Sequence, residues 1–308
     1  MQEFRIERKL MGSHFSLGIV HENEIVANQL LSEGIEEIHR IEMLLSEFLA
    51  DSDTSRINSY AFESSVKIST ECFDLISRSL DISSLTWGAF DITVGPLKRI
   101  YSFKNEAFTM PEAALIRETK ERVGFKKVKL NIPAQTVSFI KEGMRISFAA
   151  IGKGYASDMV KKMWLKKGVH SGFINASGDL NAFGRKADGS SWLIGISDPD
   201  DTSKILLKIP LTNTSVATSG DYEQHFTYNG VRYSHNIDPY SGYPITGIKS
   251  VSVFSPSAEL SDALATAVYV KGVKGGIDFI DQLPQTHAII IDDSNKIYFS
   301  KDLQYEQE

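Results

Sequence analysis

"AAIGKGYASDMVKKMWLKKGVHSGFINASGDLNAFG", residues 149–184, decides the fold class. Gly152 and Gly154 open a helix that runs through "GKGYASDMVKKMWLKKG", residues 152–168. "SGFINASGDLNAFG", residues 171–184, then reads as strand, tight turn, strand. A tight turn joins antiparallel strands, whereas a parallel pair needs a crossover of a dozen residues or more. A helix feeding a hairpin therefore argues against strict βαβ alternation.

The flanks read the same way. "FRIERKLMGSHFSLGIV", residues 4–20, reads as two strands around Met11-Gly12-Ser13. Residues 23–48 place Ile25, Leu30, Leu31, Ile35, Ile38, Ile41, Leu44 and Leu45 near the 3.6 period of a long amphipathic helix. "LADSDTSRINSY", residues 49–60, reads as a polar loop. A second helix fills residues 70–88 and ends at Gly88. Residues 89–103 fit neither period, and a third helix starts at Pro111.

"KKVKLN" (126–131), "TVSFI" (136–140) and "RISFAAI" (145–151) read as strands. So do "WLIGISD" (192–198), "SKILLKIPL" (203–211), "TSVATSG" (214–220) and "IKSVSVFSP" (248–256). Two helices, around 259–270 and 273–282, precede a closing hairpin of "THAIIIDD" and "KIYFS". The expected fold is α+β, with mixed, largely antiparallel sheets and flanking helices. No repeat, low-complexity segment or linker divides the chain, so a single domain over 1–308 is expected.

Composition removes several functions. Of 308 residues, 42% are apolar and 23% charged, as in an average soluble protein. A net charge of −6 argues against a nucleic-acid partner and against docking on anionic membranes. One cysteine, Cys72, excludes an internal disulfide and any cysteine-built metal site. It falls on the apolar side of its helix and reads as core filler. No apolar run reaches 18 residues, and the opening residues lack a continuous apolar segment. As the chain stands a cytoplasmic protein is expected, or a cell-envelope lipoprotein if an N-terminal signal has been trimmed.

Five segments are too polar or too glycine-rich for their place. In "AAIGKGYASD" (149–158), Gly152 and Gly154 flank Lys153 at a helix entry, where free N–H groups and the dipole favour phosphate. A glycine turn with an exposed lysine is the plainer reading. "NASGDLNAFG" (175–184) carries Asn175, Ser177, Gly178 and Asp179, a hairpin turn or a polar ligand contact. In "VATSGDYEQHF" (216–226), Thr218, Ser219 and the Gly220 amide suit a phosphate cradle. In "RYSHNIDPYSGYPI" (232–245), His235 precedes two turns, as a structural hydrogen-bonder or a base.

The fifth is "SDALATAVYVKG", residues 261–272, an apolar helix that carries Asp262 and Thr266 four residues apart. That spacing puts both on one face, about 5–6 Å apart at Cβ. They read as dipole and backbone partners, or as hard oxygen ligands matching Mg²⁺, which completes its shell with phosphate oxygens. No G-x-S-x-G, H-E-x-x-H, EF-hand loop, Walker A or G-x-G-x-x-G motif competes. The set points to a diphosphate ligand.

"MGSHF", "SEFLADSDTSRIN", "GAFDITVGPL", "AAIGKGYASD", "INASGDL", "ATSGDYEQ", "SHNIDPYSGYPI" and "LSDALATAVYVKG" follow one another along the chain. Together, from about residue 8 to 275, they resemble the FAD:protein FMN transferases, the ApbE-type flavin transferases. Each motif alone is weak, and eight in order are specific. The resemblance implies an enzyme that holds FAD in a cleft, splits its pyrophosphate with Mg²⁺ and transfers FMN to a threonine or serine hydroxyl. AMP leaves. The partner implied is an acceptor flavoprotein, a soluble reductase or a flavin-carrying subunit of a membrane electron-transfer complex.

By the same resemblance, the metal ligands are the Asp262 carboxylate, the Thr266 hydroxyl and backbone oxygens near Ala150 and Ala265. The FAD contacts are Met11, Phe48, Ala89, Phe90, Asp91, Lys153 and the Asn236–Ile237 segment, with Asp179, Thr218, Ser219 and Gly220. His235 is the base for the acceptor hydroxyl, since an imidazole titrates near pH 6.5. Two positions depart from the family pattern. Ser147 stands where D-L-G-G-I-x-K-G has its Asp, so a carboxylate contact is expected to be missing or weaker. Asn236 replaces an Ile of H-I-I-D-P. An FAD pyrophosphatase yielding FMN and AMP, and a non-catalytic FAD-binding protein, are the alternatives.

Overall fold

The computed structural model describes residues 1–101, 109–220 and 225–304, and the backbone of 306–307. Its frame is an eight-stranded antiparallel sheet. In chain order its strands are β1 (Gln2–Leu10), β2 (Ser13–His21), β6 (Gly172–Ala176), β7 (Asp179–Phe183), β10 (Thr214–Gly220), β13 (Ile248–Ser255), β14 (His287–Asp292) and β15 (Ile297–Phe299). They lie side by side in that order. The expected hairpin is present, with Gly172 opposite Phe183 and Ala176 opposite Asp179. Ser177 (φ 53°) and Gly178 (φ 101°) turn it, both left-handed.

Helices α1 (Glu24–Leu45), α6 (Gly152–Lys166) and α7 (Ala258–Ile280) cover one face. Leu31, Ile38 and Ile41 of α1 join Leu17, Ile174 and Trp164 in one cluster. Val251, Val253 and Ile290 meet Leu264, Val268 and Tyr269 in another. The opposite face is covered by a small sheet of β8 (Trp192–Ser197), β9 (Ile205–Leu211) and β16 (Glu306–Gln307). Phe173, Leu180, Val216, Phe254 and Ile289 pack there against Trp192, Ile196, Leu207 and Ile209. Neighbours on a strand point to opposite faces, so Phe173 and Ile174, or Val253 and Phe254, serve different cores. Both faces being covered, every residue of β13 is buried.

The remaining described elements pack beside this sandwich. They are α2 (Asp53–Tyr60), β3 (Val66–Lys67), α3 (Thr70–Leu85), α4 (Gly95–Ile100), α5 (Ala113–Lys120), a 3-10 turn at Phe125–Lys127, β4 (Val128–Asn131) and β5 (Thr136–Phe139), with a hairpin of β11 (His225–Tyr228) and β12 (Val231–Ser234). Cys72 of α3 is fully buried, and burial pushes its thiol well above the ordinary value.

Several expectations are corrected. The polar stretch 49–60 contains α2, capped by Ser52, whose hydroxyl accepts from Ser55 N. A short helix, α4, lies inside the stretch that fits neither period, with Pro96 in its first turn. "RISFAAI" is not a strand: residues 144–148 run without ladder partners, and Ser147 N donates to Ile92 O at 2.8 Å. A β11–β12 hairpin not expected from the sequence turns at Asn229-Gly230, both left-handed at φ 50° and 77°. The two late helices form one element broken at Gly272 (φ 77°). Among the described residues no helix is long and apolar enough to cross a membrane.

Candidate active site

Helices α6 and α7 are locked together at their N-terminal turns, and the site lies beside that lock. Asp158 of α6 accepts from Ser257 Oγ (2.8 Å), Ala258 N (3.1 Å) and Glu259 N (3.0 Å), the first groups of α7. Asn181 Nδ2 donates to it as well, at 2.8 Å. The helices touch at Gly154, where a Cβ would stand 2.1 Å from the Ala258 carbonyl oxygen. Only glycine fits that approach.

One turn along α7, Asp262 faces the entry of α6. Its Oδ2 accepts from Gly154 N at 3.1 Å. A continuous α-helix would send that N–H back to the Ala150 carbonyl. The side chain is buried, with 7% of the residue's surface exposed. Burial pushes its carboxyl up to about 7. Lys153 and the Gly154 N–H work against the rise, and the neighbouring Asp179 carboxylate adds to it.

Around Asp262 polar residues of α6, α7, β7, β10 and β13 meet. Lys153 Nζ is bonded to Asp179 Oδ2, at the start of β7. Asp179 Oδ1 accepts from Thr218 N at 2.8 Å. Thr218 Oγ1 and Ser252 Oγ are 2.8 Å apart, and Ser219 Oγ lies 3.4 Å from Thr266 Oγ1. The structure thus brings together Lys153, Asp179, Thr218, Ser219, Asp262 and Thr266, six residues spread over more than a hundred positions. Ala265 lies between the two α7 ligand candidates, and Gly220 ends β10. Met11, in the left-handed β1–β2 turn at φ 50°, brings its methyl to 3.4 Å from the Cβ position of Gly152.

The other candidates have contacts of their own. Phe90 is 1% exposed and its ring belongs to the main core. It therefore offers no ring face for stacking. Ala89 is buried beside it. Asp91 accepts from Thr93 N (2.8 Å), Thr93 Oγ1 (2.6 Å) and Phe125 N (2.8 Å), so its carboxylate fastens the loop that precedes α4. Phe48 is 87% exposed and presents its ring freely. Asn236 N donates to Ser234 Oγ at 3.1 Å, and Ile237 bridges Pro244. His235 follows β12 and is half-buried. Asp221–Gln224, the rest of the expected phosphate turn, lie outside the described residues.

Ser147 shows a contact that no sequence signal revealed. Its Oγ donates to Glu47 Oε1 at 3.0 Å, and Glu47 Oε2 stands 3.6 Å from Arg99 Nη2. The carboxylate absent from position 147 is delivered there by the segment after α1, beside Phe48. The 100 residues between Glu47 and Ser147 hide this pairing from local patterns. Asp158 was missed for the same reason.

The antiparallel sandwich with its flanking helices is the fold of a class of transferase enzymes. The chain belongs to the ApbE family, which it matches over residues 11–291. A protein of Treponema pallidum named FAD:protein FMN transferase is 30% identical over 276 residues, 85% of this chain and 76% of the relative. One of the same name from Vibrio cholerae is 28% identical over 306 residues, covering 97% and 91%. The ApbE protein of Thermotoga maritima has a solved structure that superposes with a TM-score of 0.89, at 30% identity, covering 97% of both chains. The apo flavinyl transferase ApbE of Pseudomonas stutzeri gives 0.85 at 26% identity, covering 98% and 96%.

Proposed function

We propose that this protein transfers the FMN half of FAD to a serine or threonine hydroxyl of an acceptor protein, in a Mg²⁺-dependent reaction that releases AMP. The observation that carries the reading is the buried Asp262 carboxylate, set with Thr266 against the glycine entry of α6.

The donor set fits a hard cation. A carboxylate, a hydroxyl and backbone oxygens near Ala150 and Ala265 are ligands that Mg²⁺ accepts, with phosphate oxygens completing the shell. Among the described residues no three His, Cys, Asp or Glu side chains group as a metal site. When bound, the cation neutralises charge on the diphosphate oxygens.

The chain's own groups do the rest. The ammonium of Lys153, held by Asp179, and the entry of α6 favour the anionic diphosphate. The Ser219 hydroxyl, beside Thr266, faces it, and Thr218 takes part through the backbone N–H that it donates to Asp179. His235 takes the proton of the acceptor hydroxyl as its oxygen bonds to the FMN phosphorus. The bridging P–O bond breaks, and its electron pair leaves on AMP. Glu47 and Phe48 edge the flavin side.

Incubation with FAD, Mg²⁺ and a redox domain carrying a single serine or threonine tests this. Covalent flavin fluorescence on the domain together with AMP is the expected result. Free FMN and AMP with no labelled domain would make the protein a pyrophosphatase. Tight FAD with no AMP would make it a carrier.

A further inference from the structure

The strand β8, "WLIGIS", is an edge without charge or proline, and the bulge in its pairing, at Leu206, falls on β9. Among the described residues it pairs with β9 alone. Sheet edges are ordinarily protected by charge, proline or brevity. β1, the edge of the large sheet, carries Glu3, Arg5, Glu7, Arg8 and Lys9, and β15 and β16 span three and two residues. β8 has six residues with no charge and no proline, and Leu193 is 47% exposed.

Register shows which groups it offers. Pro210 faces Leu193 and has no N–H to exchange with it. The hydrogen-bonded positions of β8 therefore alternate through Trp192, Ile194 and Ile196, and the backbone groups of Leu193 and Gly195 turn to the open edge.

Beside that edge runs a groove of about 210 Å³. Gly195 and Ser197 form one wall, and Ser177, Gly178, Thr218 and Ser252 the other. It is smaller than a pocket for a drug-sized ligand, and its lining mixes hydroxyls and glycine backbone with Ile194, Ile196 and Pro199, which suits a few residues of extended chain. The wall is braced: Asp200, in the loop after β8, is bonded to Lys249 Nζ (2.5 Å) and Asn295 Nδ2 (3.0 Å). At one end the groove reaches Thr218, whose N–H is bonded to the Asp179 that holds Lys153.

The geometry points to β8 as the acceptor dock: an extended segment of the acceptor protein adds as a strand along Leu193–Ser197, and its hydroxyl residue enters the transfer site past Thr218. This rests on the transfer reading. Recognition through main-chain hydrogen bonds is tolerant of side chains, so a short motif presented on an extended segment suffices.

The test uses a purified redox domain that the wild-type protein flavinylates, with Gly195→Pro to remove an edge N–H and Thr202→Trp to fill the groove from its exposed rim. Both are expected to raise KM for the domain at least tenfold, leaving FAD affinity by flavin fluorescence within twofold of wild type. KM unchanged within twofold in the folded variants overturns the dock while the transfer reading stands. Should Gly195→Pro not fold, Thr202→Trp alone decides. A wild-type protein that labels no domain ends the transfer reading, and the dock with it.

Discussion

At its first turn, α7 meets a carboxylate that is fully engaged; one turn later it carries one that is not. Asp158 accepts from four donors and ties α6, α7 and β7 into one body. Asp262 is buried as well, yet the described hydrogen bond to it is a single backbone N–H. The first is a joint. The second is held by burial in an environment that disfavours its own charge, at the place where the proposed cation would sit. The rigidity of the joint keeps Asp262 from relaxing towards water.

The largest expected effect separates the two roles. Asp262→Asn should lower flavin transfer by about 10³-fold or more, the scale of losing a group that acts on developing charge, while circular dichroism and melting show an intact fold. Asp158→Ala should do the reverse in kind. Orphaning the α7 N–H groups costs roughly 2–4 kcal/mol, read as a lower denaturation midpoint with a proportionate, not catastrophic, loss of activity. If Asp158→Ala abolished transfer without a stability change, the division drawn here would be wrong.

A pH series sharpens the same contrast. Unfolded, Asp262 titrates near 4; folded, near 7. Between those values the folded protein holds a proton that the unfolded chain has released. Its contribution to stability is therefore complete below about 4 and is lost as pH rises through 7. Without divalent cation, wild type should lose ~1–3 kcal/mol between pH 5 and 8 relative to Asp262→Asn. Excess Mg²⁺ should flatten the difference, and calorimetry should find proton release on binding below pH 7. The smallest effect expected is at Glu47→Gln. FAD affinity should fall a few-fold, about 1 kcal/mol, with kcat little changed.

What could be read before folding had a local cause. The hairpin 172–183 announced itself by two apolar runs around Ser177-Gly178, and α7 by an apolar helix with two oxygens on one face. The entry of α6 was legible from its glycines. What escaped had no local period. α2 is polar and buries only Asp53, Thr54 and Ile57, with Asp53 Oδ2 accepting from Ser69 N at 3.0 Å. The Asp158 joint and the Glu47–Ser147 contact each span about a hundred residues. The burial of the Phe90 ring was not legible, because an aromatic beside a candidate site looks the same in sequence whether it faces a ligand or fills the core.

Cys72 has a practical consequence. The chain's sole thiol is sealed beneath α3 and held protonated by its surroundings. Maleimides should leave the native protein untouched, so a single cysteine introduced at Thr202 would give a fluorophore one address, at the rim of the β8 groove, from which a docking polypeptide could be watched arriving.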